Sequence, residues 1–251
     1  SGNDAIFGTG VLIGNTGNDT LNGNGTLLGD TGNDVLYGTG NLDGGEDNDR
    51  VAINGSGTGS VAHGGSGNDT ISGGTGNTSL FGDDGNDAIY GGSGNETIDG
   101  GAGLDTINGG IGNDRIDAGL DKDVVLGGDG ADTVFGNAGD DIIVGDAGRD
   151  LLQGDAGKDT IVGGLDEDSI LGGDGNDYIV ADTNTPADND PANVRNSADT
   201  VYGGSGDDYI LGGFGQNRLY GDAGNDTIAG EGLSRGGSGN DQMLASDFND
   251  K

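Results

Sequence analysis

The sequence predicts an all-β fold: a right-handed parallel β-roll, a solenoid with two short strands per coil and no substantial helix. Three observations lead there. Nine-residue units repeat along most of the chain, among them 64-72 GGSGNDTIS, 100-108 GGAGLDTIN, 127-135 GGDGADTVF and 172-180 GGDGNDYIV. Each unit carries one large apolar residue, at its eighth position. The 251 residues include 61 Gly, 5 Phe, 6 Tyr, 1 Met and no Trp, too little bulk to fill an ordinary globular core.

The apolar series runs Ile71, Leu80, Ile89, Ile98, Ile107, Ile116, Val125, Val134, Ile143, Leu152, Ile161, Ile170 and Ile179, in unbroken register from Gly64 to Val180. Strand side chains alternate faces, so one buried residue between two outward ones is a three-residue strand over positions seven to nine. Positions one to six are then turn. Glycine at positions one, two and four supplies backbone with φ > 0, and where position four is not Gly it is Asp47, Asp121 or Asp166, a residue that tolerates left-handed geometry.

Two units make one coil, so residues 18 apart stack at about 4.8 Å in a parallel ladder. The sixth position is nearly always Asp, and stacking therefore piles carboxylates on one another. Bare carboxylates at that spacing repel. The glycine-rich turn around them presents carbonyl oxygens unobstructed by side chains, and a rigid, anionic, oxygen-rich pocket suits a hard cation, above all Ca²⁺ with its six or more oxygen ligands.

Charge agrees with that expectation. With 44 acidic against 9 basic residues the net charge is −35, which excludes nucleic acid and anionic membrane as natural partners and favours cations. There is no cysteine, so neither disulfides nor thiolate sites are available. No apolar run reaches the roughly 18 residues of a membrane span, and the opening Ser1-Gly2-Asn3-Asp4 is no targeting leader; a soluble chain is expected.

The motif GGxGxDxUx, repeated in register over almost the whole chain, resembles the repeat of the RTX (repeats-in-toxin) family of secreted metalloproteases, lipases, adhesins and pore-forming toxins. The resemblance implies a row of Ca²⁺ ions, each lying between stacked turns. Each ion would be held by the sixth-position Asp of both turns, by carbonyls two and four of one and by carbonyls one and three of the next. One site would use Gly65, Gly67 and Asp69 with Gly82, Asp84 and Asp87. Equivalent carbonyls include Asp83 and Gly85 with Gly100 and Ala102, and Gly110 and Gly112 with Gly127 and Asp129. It also implies passage through a type I secretion channel unfolded, folding in a calcium-rich exterior, and a secreted or cell-surface location.

Assigning alternate turns to two edges shows an asymmetry. Edge A has Asp4, Asp19, Asp34, Asp49, Asp69, Asp87, Asp105, Asp123, Asp141, Asp159, Asp177, Asp208, Asp226 and Asp241, aspartate throughout. Edge B has Thr78, Glu96, Asp114, Asp132, Asp150, Asp168, Asp199 and Asn217, so its calcium aspartates are expected to be Asp114, Asp132, Asp150, Asp168 and Asp199. Six-residue units, GTGVLI at 8-13, GNGTLL at 23-28, GTGNLD at 38-43 and GEGLSR at 230-235, keep a strand but lack the aspartate and should bind no ion.

The whole chain, 1-251, reads as one roll. Residues 1-52 alternate nine- and six-residue units, 53-63 is an irregular connection, and 53-180 is otherwise regular. Residues 181-193, with both prolines and Asp182, Asp188 and Asp190, form an inserted polar loop; 194-244 close the roll and 245-251 are a tail.

Outward positions seven and nine carry an apolar stripe, Val124, Leu126, Ile142, Val144, Val162, Tyr178, Val180, Tyr209 and Leu211, expected to contact another domain of a larger secreted chain, a second copy or the 181-193 loop. Ice binding has weak support, since Thr16/Asn18 and Thr31/Asn33 make only two rungs. Tyr202 and Tyr220 could stack on a sugar. No catalytic residues are expected, because His63 stands alone in the irregular segment and a smooth roll offers no cleft for a carboxylate pair. The sequence thus favours a calcium-folded structural module, with an extracellular recognition module, adhesin-like, ice- or glycan-binding, as the alternative.

Overall fold

The structure, a computed structural model, describes residues 2–182 and 198–244. The chain divides into two compact units, Ser1–Val124 and Val125–Lys251. Among the described residues there is no helix, and every recorded strand pairing is parallel.

Within residues 1–124 the first three strands, β1 (Ala5–Thr16), β2 (Thr20–Thr31) and β3 (Val35–Glu46), pair 15 residues apart, Ile6 on Leu21 and Leu21 on Leu36. They are single twelve-residue strands, not the expected pairs of short ones. The six-residue units turn their corner at Gly10, Gly25 and Gly40, each with φ > 100°, without leaving the ladder. From Val61 onward the register is 18, with Thr97–Ala102 on Arg115–Leu120 and Ala88–Ser93 on Thr106–Ile111. The core is one side chain thick. Leu21, Leu36, Val51, Ile71, Ile89 and Ile107 line one wall and Leu27, Leu42, Ala62, Leu80, Ile98 and Ile116 the other, all buried.

Residues 125–251 repeat that construction. Ile142–Ala147 pairs with Thr160–Leu165, which pairs with Tyr178–Asp182. Ser169–Asp174 pairs with Thr200–Ser205, Ile170 on Val201, so the ladder passes over the insertion without a change of face. Ala181 and Asp182, expected to open the polar loop, instead finish a strand and are buried. Asp188, Asp190 and the 245-251 tail lie outside the described residues.

The strands are longer than three residues. A typical one, Thr97–Ala102, continues from positions seven to nine into positions one to three of the next unit, leaving only four to six as turn. The glycines divide the work differently from expectation. Positions two and four have φ > 0, as at Gly101 (102°) and Gly103 (130°), and position two accepts Asp or Asn at φ 67–75° (Asp83, Asn137, Asp146, Asp155, Asp222). Position four accepts Asp47, Asp121 and Asp166 at 75–79°. Position one is different: Gly64 and Gly100 are not in the positive-φ region, and what they supply is room.

Candidate metal centre

The sixth-position aspartates are where elementary electrostatics would least allow them. Asp19, Asp34, Asp49, Asp69, Asp87 and Asp105 in residues 1–124, and Asp150, Asp159, Asp168, Asp177, Asp199, Asp208 and Asp226 in residues 125–251, are all buried. In each, the two carboxylate oxygens have different fates. Oδ1 of Asp87 accepts the main-chain N–H of Asp69 at 2.7 Å, and the same bond recurs from Asp34 to Asp49, Asp87 to Asp105, Asp159 to Asp177 and Asp177 to Asp208. Oδ2 of every aspartate named above is buried without a hydrogen-bond donor.

Other oxygens crowd these orphans. A Cβ built on Gly64 would collide with Asp69 Oδ2 and lie 2.8 Å from the carbonyl oxygen of Gly82, in the next turn. Gly145, beside Asp150 Oδ2 and the Gly163 carbonyl, and Gly221, beside Asp226 Oδ2 and the Gly236 carbonyl, repeat the arrangement. A Cβ on these glycines would thus sit where acceptors meet, while Ala118 and Ala181 are buried at the same position one in other turns. The carbonyl of position three already accepts one bond, as Asp84 does from Gly67 N–H at 2.8 Å and Ala102 from Gly85 N–H at 2.7 Å, and keeps a second lone pair.

Buried acceptors without donors are costly, and carboxylates more so. Burial first, and neighbouring like charges, raise Asp49, Asp87, Asp159, Asp199 and Asp208 to about 7 and Asp168 to about 8; hydrogen bonds from the preceding turn offset part of that. A hard cation among these oxygens removes the cost in every turn at once. Among the described residues no three carboxylate or imidazole side chains converge, so main-chain carbonyls must complete such a site. The donor set, carboxylate and carbonyl oxygen without nitrogen or sulfur, fits Ca²⁺.

The family described as RTX calcium-binding nonapeptide repeat (4 copies) matches residues 7–25, 63–95, 90–125, 118–152, 153–184, 195–232 and 235–251. The chain belongs to that family. Its RTX repeats are calcium-binding repeats on a parallel β-solenoid, of a kind typical of secreted bacterial proteins. No curated protein matches the chain.

The RTX edges differ as their sequences do. Asp4, at the start of edge A, is exposed and Asp241 is half-exposed, yet both join the ladder, Asp4 N–H donating to Asp19 Oδ1 and Asp226 N–H to Asp241 Oδ1. On edge B, Asp114, Asp132, Asp150, Asp168 and Asp199 are buried. Thr78 and Glu96 are buried there too, with Thr78 Oγ1 and both Glu96 carboxylate oxygens lacking donors.

A second ladder escaped the sequence reading. Position-five asparagines run outside the aspartates, and their side-chain oxygens accept main-chain N–H groups in the opposite sense: Asn18 N–H to Asn3, Asn33 to Asn18, Asn86 to Asn68. Its signal is the recurrent Asn at position five, as in the GND triplets at 17-19, 32-34 and 67-69.

Two expectations need correction. His63 is not alone: its Nδ1 lies 2.9 Å from Asp83 Oδ2 and its ring stacks on Phe81 at 4.5 Å, because the ninth-position column brings Asp43, His63, Phe81 and Asp99 together in register. Nor is the surface smooth there, for an open cleft of about 560 Å³ is lined by Asp83, Asp84 and Asp99. Tyr202 and Tyr220 stack on each other at 4.8 Å, and Arg235 lies over Tyr220. In the apolar stripe Tyr178 stacks on Tyr209 at 5.4 Å, and Val144, Val162, Val180 and Leu211 are half-buried by their ladder neighbours.

Proposed function

We propose that this RTX chain is a calcium-folded structural module of a secreted bacterial protein, carrying a row of ions between the turns of each edge. The observation that carries the reading is the recurrent buried Oδ2 without a donor. A chain with a core one side chain thick and a charge of −35 has little to hold it closed without cations. Ions that bind only the stacked turns add stability by mass action, about 2.7 kcal/mol per site at a hundredfold excess over the dissociation constant. Low-calcium cytosol would then keep the chain expanded for export, and the calcium-rich exterior would fold it. The module acts as scaffold rather than catalyst.

Far-UV circular dichroism during CaCl₂ titration of a calcium-depleted sample, with MgCl₂ as control, tests this. A coil-to-β transition specific to calcium is expected. A spectrum unchanged by calcium would overturn the reading.

A further inference from the structure

We propose that the side-chain amide of Asn217 takes the place of a calcium ion, so that its turn closes without metal and the edge-B ion row within residues 125–251 stops there. This rests on the calcium reading above and concerns the one described sixth position of that unit that is not aspartate.

Asn217 is as buried as the aspartates and keeps their ladder role, its Oδ1 accepting Asp199 N–H at 3.0 Å. The difference lies in the other side-chain atom. Where aspartates such as Asp199 and Asp208 bury an Oδ2 that has no donor, Asn217 places an Nδ2–H₂ group. It donates to the carbonyl oxygens of Gly212 at 2.5 Å and Phe214 at 3.2 Å. These are positions one and three of its own turn, two of the carbonyls that the calcium reading turns toward a cation. An acceptor beside acceptors needs a cation between them; a donor beside acceptors does not.

The rest of the turn is satisfied in the same way. The Gly213 carbonyl, at position two, accepts Glu231 N–H at 3.0 Å, and Gly215 N–H donates to the Glu231 carboxylate at 3.3 Å. Protein donors thus meet the carbonyls at positions one, two and three. The local backbone differs accordingly: the preceding strand is three residues, Tyr209–Leu211, where strands leading into aspartate turns such as Thr160–Leu165 have six.

The experiment is an ion count on the full chain, by native mass spectrometry over a CaCl₂ titration, comparing wild type with Asn217→Asp. The variant is expected to hold at least one Ca²⁺ more than wild type at saturation. An unchanged or lower count would overturn the proposal. Should Asn217→Asp fail to fold in calcium, the reciprocal Asp208→Asn decides: a folded chain with at least one ion fewer supports the exchange of amide for ion, and a chain that no longer folds in saturating calcium overturns it. A wild-type chain that takes up no calcium would remove the calcium reading itself, a result distinguishable from equal, non-zero counts.

Discussion

The main-chain N–H of Asp69 donates to Asp87 Oδ1 at 2.7 Å, while Asp87 Oδ2, equally buried, has no donor. On the calcium reading, one carboxylate therefore does two separable jobs, clipping the turn before it and facing a cation. Asp87→Asn should keep the clip and lose charge at the ion; Asp87→Ala should lose both, leaving Asp69 N–H unsatisfied at a cost of about 1–3 kcal/mol. Both variants should need more calcium to fold, Asp87→Ala the more. Equal midpoints in calcium-titrated circular dichroism would show that the clip contributes nothing.

Acidity should partly replace calcium. An unfolded aspartate titrates near 3.9. In the fold without a cation, burial chiefly raises Asp49, Asp87, Asp159, Asp199 and Asp208 to about 7, so between about pH 4 and 7 the folded chain binds more protons than the unfolded one. The metal-free fold is then most stable below the unfolded value, near pH 4, and loses that stability as pH rises through the raised values. Calcium-depleted protein should be expanded at pH 8 and gain β signal on acidification to about pH 4. Calcium added at about pH 6 should release protons, measurable in weakly buffered solution. A depleted chain equally unfolded at both pH values would contradict the burial of these carboxylates.

The roll, its two edges and its buried aspartate ladder were legible because each rests on strict periodicity: Ile89 and Ile107 recur at 18 residues, and so do Asp87 and Asp105. What escaped depends on contacts between different positions of neighbouring units. His63 meets Asp83 across the regular register, which sets His63 opposite Phe81 and Gly65 opposite Asp83, and no motif announces that a ninth-position side chain reaches the second position of the next coil. The exchange at Asn217 was equally hidden, since Asn in place of Asp reads as a weakened site until its amide is seen on Gly212 and Phe214.

A core one side chain thick leaves no second layer to collapse into a cavity. Ile107 is 1% exposed, stacked in register on Ile89. Ile107→Ala should cost about 2–5 kcal/mol, read from urea denaturation in saturating calcium. A loss below about 1 kcal/mol would mean that the ions, and not the apolar stack, carry the stability of these coils.

Position-two and position-four glycines should respond oppositely to substitution. Gly112, at position four, has φ 136°, and a Cβ there would collide with the Gly94 carbonyl oxygen. Among the described residues, position-four residues other than glycine sit at 75–79°, and all are aspartate, which can support left-handed backbone with its own side chain. Gly112→Ala should therefore lose about 1–3 kcal/mol through strain and raise the calcium needed for folding. Gly101, at position two, has φ 102°, and a Cβ there would also meet a carbonyl oxygen, that of Asp83, but the same position holds Asn137 at 67° and Asp146 at 75° in other turns, so a shift to the smaller angle accommodates a side chain. Gly101→Asn should stay within about 1 kcal/mol of wild type. Calcium midpoints measured side by side decide the matter, and a Gly101→Asn variant as impaired as Gly112→Ala would show that position two, too, demands glycine at this coil.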